Sequence, residues 1–202
     1  MGDEMGRSKV KPKGMPKGAP KGGPTNRVVW AAILLSLVVA VAFYVRREAA
    51  KEVSGTPDVV KIETSKGLIV MEVYPDLTPI TVANFEKLAN KGFYDGLIWH
   101  RVEDWVVQTG DPQGTGYGGS EETIKLEINR KLSNVRGAVG MARSADRNSA
   151  SSQFYVLRRD ATSLDGDYAI FGKVVTGMDV VDKVAIGDKM LKVTVEPGTP
   201  AK

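Results

Sequence analysis

The sequence predicts a mainly β domain, a barrel or a sandwich, set behind a basic tail and one long apolar segment. Between Asp58 and Glu196 short runs rich in Val, Ile, Tyr and Phe recur, each bounded by Gly, Asp, Asn or Ser. Only two stretches of that interval carry helix signals, which fits a closed or stacked sheet better than an alternating α/β fold. The third observation is a run of 18 uncharged residues from Val28 to Val45, which predicts the apolar segment.

The first 27 residues repeat Lys, Pro and Gly. Arg7, Lys9, Lys11, Lys13, Lys17, Lys21 and Arg27 face only Asp3 and Glu4, so residues 1–27 carry +5 of a total of +4 and the remainder sums to −1. Mutual repulsion and the lack of apolar side chains predict a disordered arm. A nearly neutral body argues against nucleic acid as a partner.

Residues 28–45 read as a transmembrane helix. At about 1.5 Å per residue the run reaches roughly 27 Å, close to the hydrocarbon thickness of a bilayer. Trp30 and Phe43-Tyr44 lie near its two ends, and Arg27 and Arg46-Arg47 bracket it. The excess of Lys and Arg on the tail places the N-terminus in the cytoplasm and the body on the lumenal or extracytoplasmic side. Cleavage behind the small-x-small triplet Ala40-Val41-Ala42 is the alternative, and it would leave a soluble secreted domain. Residues 46–57 form a linker, 58–196 the folded domain, and 197–202 a short C-terminal tail.

Within the domain, "VVKIETSKGLIVMEVY" is two β runs around Ser65-Lys66-Gly67, a hairpin signal. "LTPITVANFEKLANKGF" follows with Thr78 as N-cap, Pro79 at the first helical position and Gly92 as the stop. Val82, Phe85, Leu88 and Ala89 share the face that would cover a sheet. Strands are expected at "WVVQTG", "AVGMA", "QFYVL", "AIFGKV" and "KVTVEP", and a second short helix at "DVVDKVA".

The chemistry available is narrow. The chain has 202 residues and no cysteine, which excludes disulfides, thiol nucleophiles and thiolate zinc sites. "GLIWHRVEDWVVQTGDPQGTGYGG", residues 96–119, holds the only histidine, His100. A single His with scattered carboxylates supplies neither a triad nor a metal ligand set. "GTGYGG" lacks the Lys-Ser/Thr of a phosphate-binding loop. What remains is Arg101 with Trp105, Val106 and Gln108, joined later by Gln153 and Tyr155. A fixed cation and amides beside large apolar side chains suit a neutral, apolar group flanked by peptide bonds.

Four blocks carry a resemblance: "GFYDGLIWHRV", "VVQTGDPQGTGYGG", "GAVGMARSADRNSASSQFYVL" and "SLDGDYAIFGKVVTGMDVVDKV". Over about 140 residues, in order and near-identical spacing, they resemble the signature blocks of the cyclophilin-type peptidyl-prolyl isomerases. The resemblance implies a closed eight-stranded antiparallel barrel capped by two helices. It also implies an enzyme that rotates X–Pro bonds in proline-containing client segments, as a monomer, with no cofactor and no metal. Arg101 matches the family's catalytic arginine. Trp105 stands for its pocket phenylalanine, Val106 for the neighbouring methionine, and Gln108 for the glutamine that bonds the substrate backbone. Gln153, Tyr155 and Leu164 match further pocket positions, and Tyr168 stands where many members have histidine. Ala142 and Arg143 lie on the segment that pairs with the bound peptide. Asp111 and His100 read as structural.

The departures concern detail. "RVEDWVVQ" is one residue shorter than the usual pattern, "MARSADRNSASSQ" is one residue longer than the shorter family form, Thr109 replaces a glycine, and Ser163 stands where a tryptophan occurs in the best-studied members. None removes Arg101, Gln108 or Gln153, so activity is expected, with altered substrate preference. A non-catalytic proline-peptide tether built on the same groove is the competing reading, and the retained Arg101 argues against it.

Overall fold

The computed structural model describes residues 56–198. The expected tail, transmembrane helix and most of the linker lie outside these residues, as do the last four residues of the C-terminal tail. No helix among the described residues is long and apolar enough to cross a membrane.

Eight strands form one antiparallel sheet: β1 (Asp58–Thr64), β2 (Gly67–Val73), β3 (Arg101–Val102), β4 (Val106–Thr109), β5 (Ala138–Met141), β6 (Phe154–Leu157), β7 (Ile170–Thr176) and β8 (Met190–Glu196). Their order is β3-β4-β6-β5-β7-β2-β1-β8. Two helices join them, α1 (Pro79–Asn90) and α2 (Met178–Lys183), with a single 3-10 turn at Thr162–Leu164. The expected full closure is not a continuous ladder. The two edges, β3 and β8, meet only through the isolated bridge Ile98–Lys189 and flanking main-chain bonds such as Trp99 N to Asp188 O at 2.9 Å. The reason is length: β3 pairs over two residues, too few to carry a second neighbour. The sheet is thus a half-barrel laced shut at one seam.

The β1–β2 hairpin forms where the β-branched runs predict it, with Thr64 opposite Gly67 and Ser65-Lys66 in the turn. Helix α1 stops where Gly92 takes a φ of 70°, a conformation that costs glycine little. Its start departs from expectation. Thr78 occupies the N-cap position, but its hydroxyl makes no cap bond and donates weakly to Tyr74 O at 3.4 Å. The cap comes from far along the chain: Glu127 accepts the N–H groups of Ile80 and Thr81 at 3.1 and 2.6 Å and the Thr81 hydroxyl at 2.7 Å. A carboxylate at this end also meets the positive pole of the helix dipole.

Alternation along the strands splits the apolar residues between two sides of the sheet. Val107, Val139, Met141, Phe154 and Val156 face the main core, where Phe85 of α1 stacks on Tyr94 (5.0 Å) and meets Phe154 edge-on (5.4 Å). Truncating a ring as buried as Phe85 would cost about 3–5 kcal/mol. Val106, Ala138, Tyr155, Leu157 and Ile170 face the other way. They form a smaller cluster with Trp105, Ala142 and Tyr168 packed against it. That second cluster is the floor of the candidate site.

Candidate functional site

The site grows from one cross-strand row. Arg101 on β3 is paired with Gln108 on β4, Gln108 with Tyr155 on β6, and Tyr155 with Gly140 on β5. Paired residues in an antiparallel sheet point to the same side, so pairing alone sets a cation, an amide and a ring in line. Gly140 ends the row for a steric reason. A Cβ there would lie 2.3 Å from the Tyr155 hydroxyl oxygen, so only glycine leaves room for the ring.

Beside this row lies a cavity of about 220 Å³ lined by Arg101, Trp105, Val106, Gln108, Ala142, Arg143, Tyr155, Leu164 and Tyr168. Nine of the ten residues singled out from the sequence therefore border one space. The tenth, Gln153, lines a neighbouring cavity of about 440 Å³, which shares Gln108, Ala142 and Arg143 with the first. The shorter loop after β3 closes as a tight turn, with Glu103 N bonded to Val106 O at 2.8 Å, and it still delivers Trp105 to the cavity wall.

A relay of hydrogen bonds orients the polar groups. Arg101 donates from Nη1 to Gln108 Oε1 (3.2 Å), and Gln108 donates from Nε2 to Gln153 Oε1 (2.7 Å). Gln153 in turn donates to the carbonyls of Gly116 (3.0 Å) and Gly118 (2.7 Å). Because the last acceptors are carbonyls, each amide upstream has only one consistent orientation. Gln108 keeps one N–H of its amide for a ligand.

Glu103, which sequence reasoning passed over, is central to the geometry. It accepts Arg101 Nε–H at 2.7 Å and the Trp105 indole N–H at 2.8 Å, while the guanidinium carbon lies 5.4 Å from the Trp105 ring centroid. The Arg101 bond holds its carboxyl below the ordinary glutamate value, against the opposing effect of burial, with the indole N–H adding to the shift. Its sequence signal is only its place between Arg101 and Trp105, since the tight turn over residues 103–106, and not an extended run, brings the three side chains together.

The floor is polar at one point. Tyr155, 5% exposed, donates its hydroxyl to Asn134 Oδ1 at 2.8 Å, and Asn134 donates to Asp165 Oδ1 from both its backbone (2.7 Å) and its side chain (2.9 Å). Burial raises the Tyr155 phenol far above its usual value, so it remains a donor. For Asp165 burial pushes upward, but the bonds from Ser133 and Asn134 outweigh it and leave the carboxyl lowered. This network ties the floor to the turn that carries Leu164.

His100 and Asp111 perform no visible acid–base work. Both ring nitrogens of His100 are buried without a partner, and burial pushes its imidazole below the ordinary value, so it stays neutral beside Arg101. Asp111, 1% exposed, accepts the N–H groups of Gln113, Thr115, Gly116 and Gly118 at 2.6–3.2 Å. The glycine-rich loop thus spends its amide donors on a carboxylate of its own, the physical reason it is no phosphate cradle. Among the described residues no three His, Asp or Glu side chains cluster as a metal site would require. The arrangement can hold an apolar ring in a pocket, bond a peptide backbone, and aim a guanidinium between them.

Known proteins share the sequence and the fold. Residues 59–198 match the family described as cyclophilin type peptidyl-prolyl cis-trans isomerase/CLD. Peptidyl-prolyl cis-trans isomerase B of Bacillus subtilis is 45% identical over 130 residues, covering 63% of this chain and 90% of the relative. A probable peptidyl-prolyl cis-trans isomerase of Brucella abortus is 35% identical over 196 residues, covering 83% of this chain and 99% of the relative. Among solved structures, a Cryptosporidium parvum cyclophilin type isomerase, crystallised in the presence of the dipeptide Ala-Pro, superposes with a TM-score of 0.65. It is 26% identical and covers 69% of this chain and 99% of its own.

Proposed function

The chain belongs to the cyclophilin-type peptidyl-prolyl cis-trans isomerase family and is an enzyme of that class; we propose that Arg101 supplies its transition-state contact to the X–Pro bonds of client proteins. The trans form of an X–Pro bond is favoured by only about 0.5–1 kcal/mol, yet amide conjugation raises the rotation barrier to ~18–20 kcal/mol. At the twisted midpoint conjugation is lost and the prolyl nitrogen gains a usable lone pair. A donor aimed there binds the midpoint more strongly than either planar end, and that difference is what lowers a barrier.

The observation that carries this reading is the relay Arg101–Gln108–Gln153 beside a cavity walled by Trp105, Val106, Tyr155 and Leu164. The prolyl ring enters the cavity, the free Gln108 N–H takes a backbone carbonyl, and Arg101 stands at the rim as a planar, forked donor. No acid, base or nucleophile takes part, and no covalent intermediate forms.

The test is an isomerisation assay on the full chain and its Arg101→Ala variant. Loss of one well-placed charged donor costs about 3 kcal/mol, so the rate should fall about a hundredfold with the fold unchanged. A folded variant with wild-type activity removes Arg101 from the mechanism.

Residues 28–45 form the anchor in this proposal, with the isomerase domain outside the cytoplasm; the 18-residue uncharged run and the charge excess of the tail support it. Carbonate washing should leave the protein in the membrane pellet, and release into the supernatant would point to cleavage behind Ala42.

A further inference from the structure

We propose that the groove favours proline segments bearing a carboxylate side chain within two residues of the proline, and that Arg143 selects it. This rests on the isomerase reading and extends it to a class of client sequence.

Two guanidiniums border the proline cavity, and only one is balanced. Arg101 has Glu103 as its counter-charge at 2.7 Å. Arg143 lies with its guanidinium carbon 4.8 Å from the Tyr168 ring centroid, and it donates to two neutral carbonyls, Asp167 O and Ser144 O, both at 2.9 Å. The nearby Asp167 carboxylate is engaged by Arg147 at 3.1 Å. Among the described residues no carboxylate pairs with Arg143, and its Nη2 has no acceptor.

The larger cavity makes this cation selective. Its walls are glycines, serines and the amides of Gln108 and Gln153, with Ala142 and the exposed Tyr117, and Arg143 is the only formally charged side chain among these lining residues. The Tyr168 ring and the two carbonyls hold the fork in place before any ligand arrives, so a bound carboxylate costs little ordering. Extended chain advances ~3.3 Å per residue, so a side chain one or two residues from the bound proline reaches the shared wall of Gln108, Ala142 and Arg143. A carboxylate there gains a charge-assisted bond. A lysine there meets an unbalanced like charge.

The test uses peptides identical but for one position, filled in turn by Glu, Gln, Ala or Lys and placed one or two residues before or one or two residues after the proline. Turnover is measured for the full chain and for Arg143→Gln and Arg143→Lys. In at least one placement kcat/KM for Glu should exceed that for its isostere Gln about three- to tenfold at low ionic strength, with Lys lowest, and the ratio should contract at roughly 0.5 M salt. Arg143→Gln should bring the Glu/Gln ratio to about one, whatever its rate on the Gln peptide, and Arg143→Lys should keep part of it. Equal Glu and Gln rates in every placement overturn the proposal and leave the isomerase reading standing. A ratio that survives Arg143→Gln overturns the assignment to Arg143. If no peptide turns over, the isomerase reading falls, and the same ratio is then read from equilibrium binding of the Glu and Gln peptides.

Discussion

Glu103 and Arg101 are joined side chain to side chain at 2.7 Å, and the second carboxylate oxygen of Glu103 holds the Trp105 indole at 2.8 Å. One acid therefore holds both the guanidinium at the cavity rim and the indole that forms one of its walls. The pair is exposed, so its contribution to stability is small. Its contribution is to placement, where small displacements of a donor cost rate.

Replacing Glu103 with Gln should lower kcat/KM about three- to tenfold, with the loss mainly in kcat, and should barely move the melting temperature. Glu103→Ala should lose more, and Glu103→Asp should fall between wild type and Ala. Steady-state kinetics with circular dichroism melts would check this. Unchanged or faster turnover in Glu103→Gln would show that Arg101 is positioned by Gln108 alone.

Tyr155→Phe should destabilise the domain by about 1–2 kcal/mol, because Asn134 Oδ1 would be left buried without its donor. That corresponds to a drop of about 3–6 °C in a thermal melt. An unaltered melt would mean that Asn134 finds another partner.

Stability should also depend on Glu86. Burial, then the adjoining Asp58 carboxyl, push Glu86 up to about 7. A carboxyl raised on folding binds more protons in the folded state between about 4.5 and 7, so it favours the fold at low pH and opposes it as pH rises through 7. Glu86 is only partly buried, and solvent screening leaves an effect of about 1 kcal/mol. Glu86→Gln should therefore melt about 2–4 °C higher than wild type at pH ~8 and match it near pH ~4.5. A constant difference across that range would show that charge is not the cause.

Cyclosporin, the cyclic peptide that occupies the groove of many members of this family, should inhibit weakly. In sensitive members a tryptophan before the "LDG" stretch packs on the inhibitor, and here Ser163 holds that place, exposed on the 3-10 turn. Loss of an aromatic contact and a hydrogen bond, together ~2–3 kcal/mol, weakens binding roughly thirty- to a hundredfold. Ser163→Trp should recover much of that affinity in a titration of activity. Tight inhibition of the wild type would count against this role for the turn.

The strands around the site were legible because a short apolar run bounded by turn residues is a local pattern, and "WVVQTG" and "QFYVL" each show one in five or six letters. The pocket side chains were legible through blocks such as "HRV" and "SSQFYVL", whose order the family resemblance supplied. The partners that hold them were not. Tyr155 meets Asn134 across 21 residues of sequence and Asn134 meets Asp165 across 31, contacts that no local pattern of letters records. The seam at Ile98–Lys189 was overlooked for the same reason, since a single bridge leaves no run of residues to read.

The cap that Glu127 places on α1 bears on the order of folding. A 12-residue helix is marginal on its own in water, and this one draws its first-turn acceptor from 46–47 residues further along the chain. During synthesis Pro79–Asn90 leaves the ribosome well before Glu127 does. The cap on α1 therefore cannot form until Glu127 has joined the chain. Contacts of that sequence separation slow the search for the native state. The start of α1 is thus a long-range feature, since the N–H groups of Ile80 and Thr81 are satisfied only when Glu127 reaches back to them.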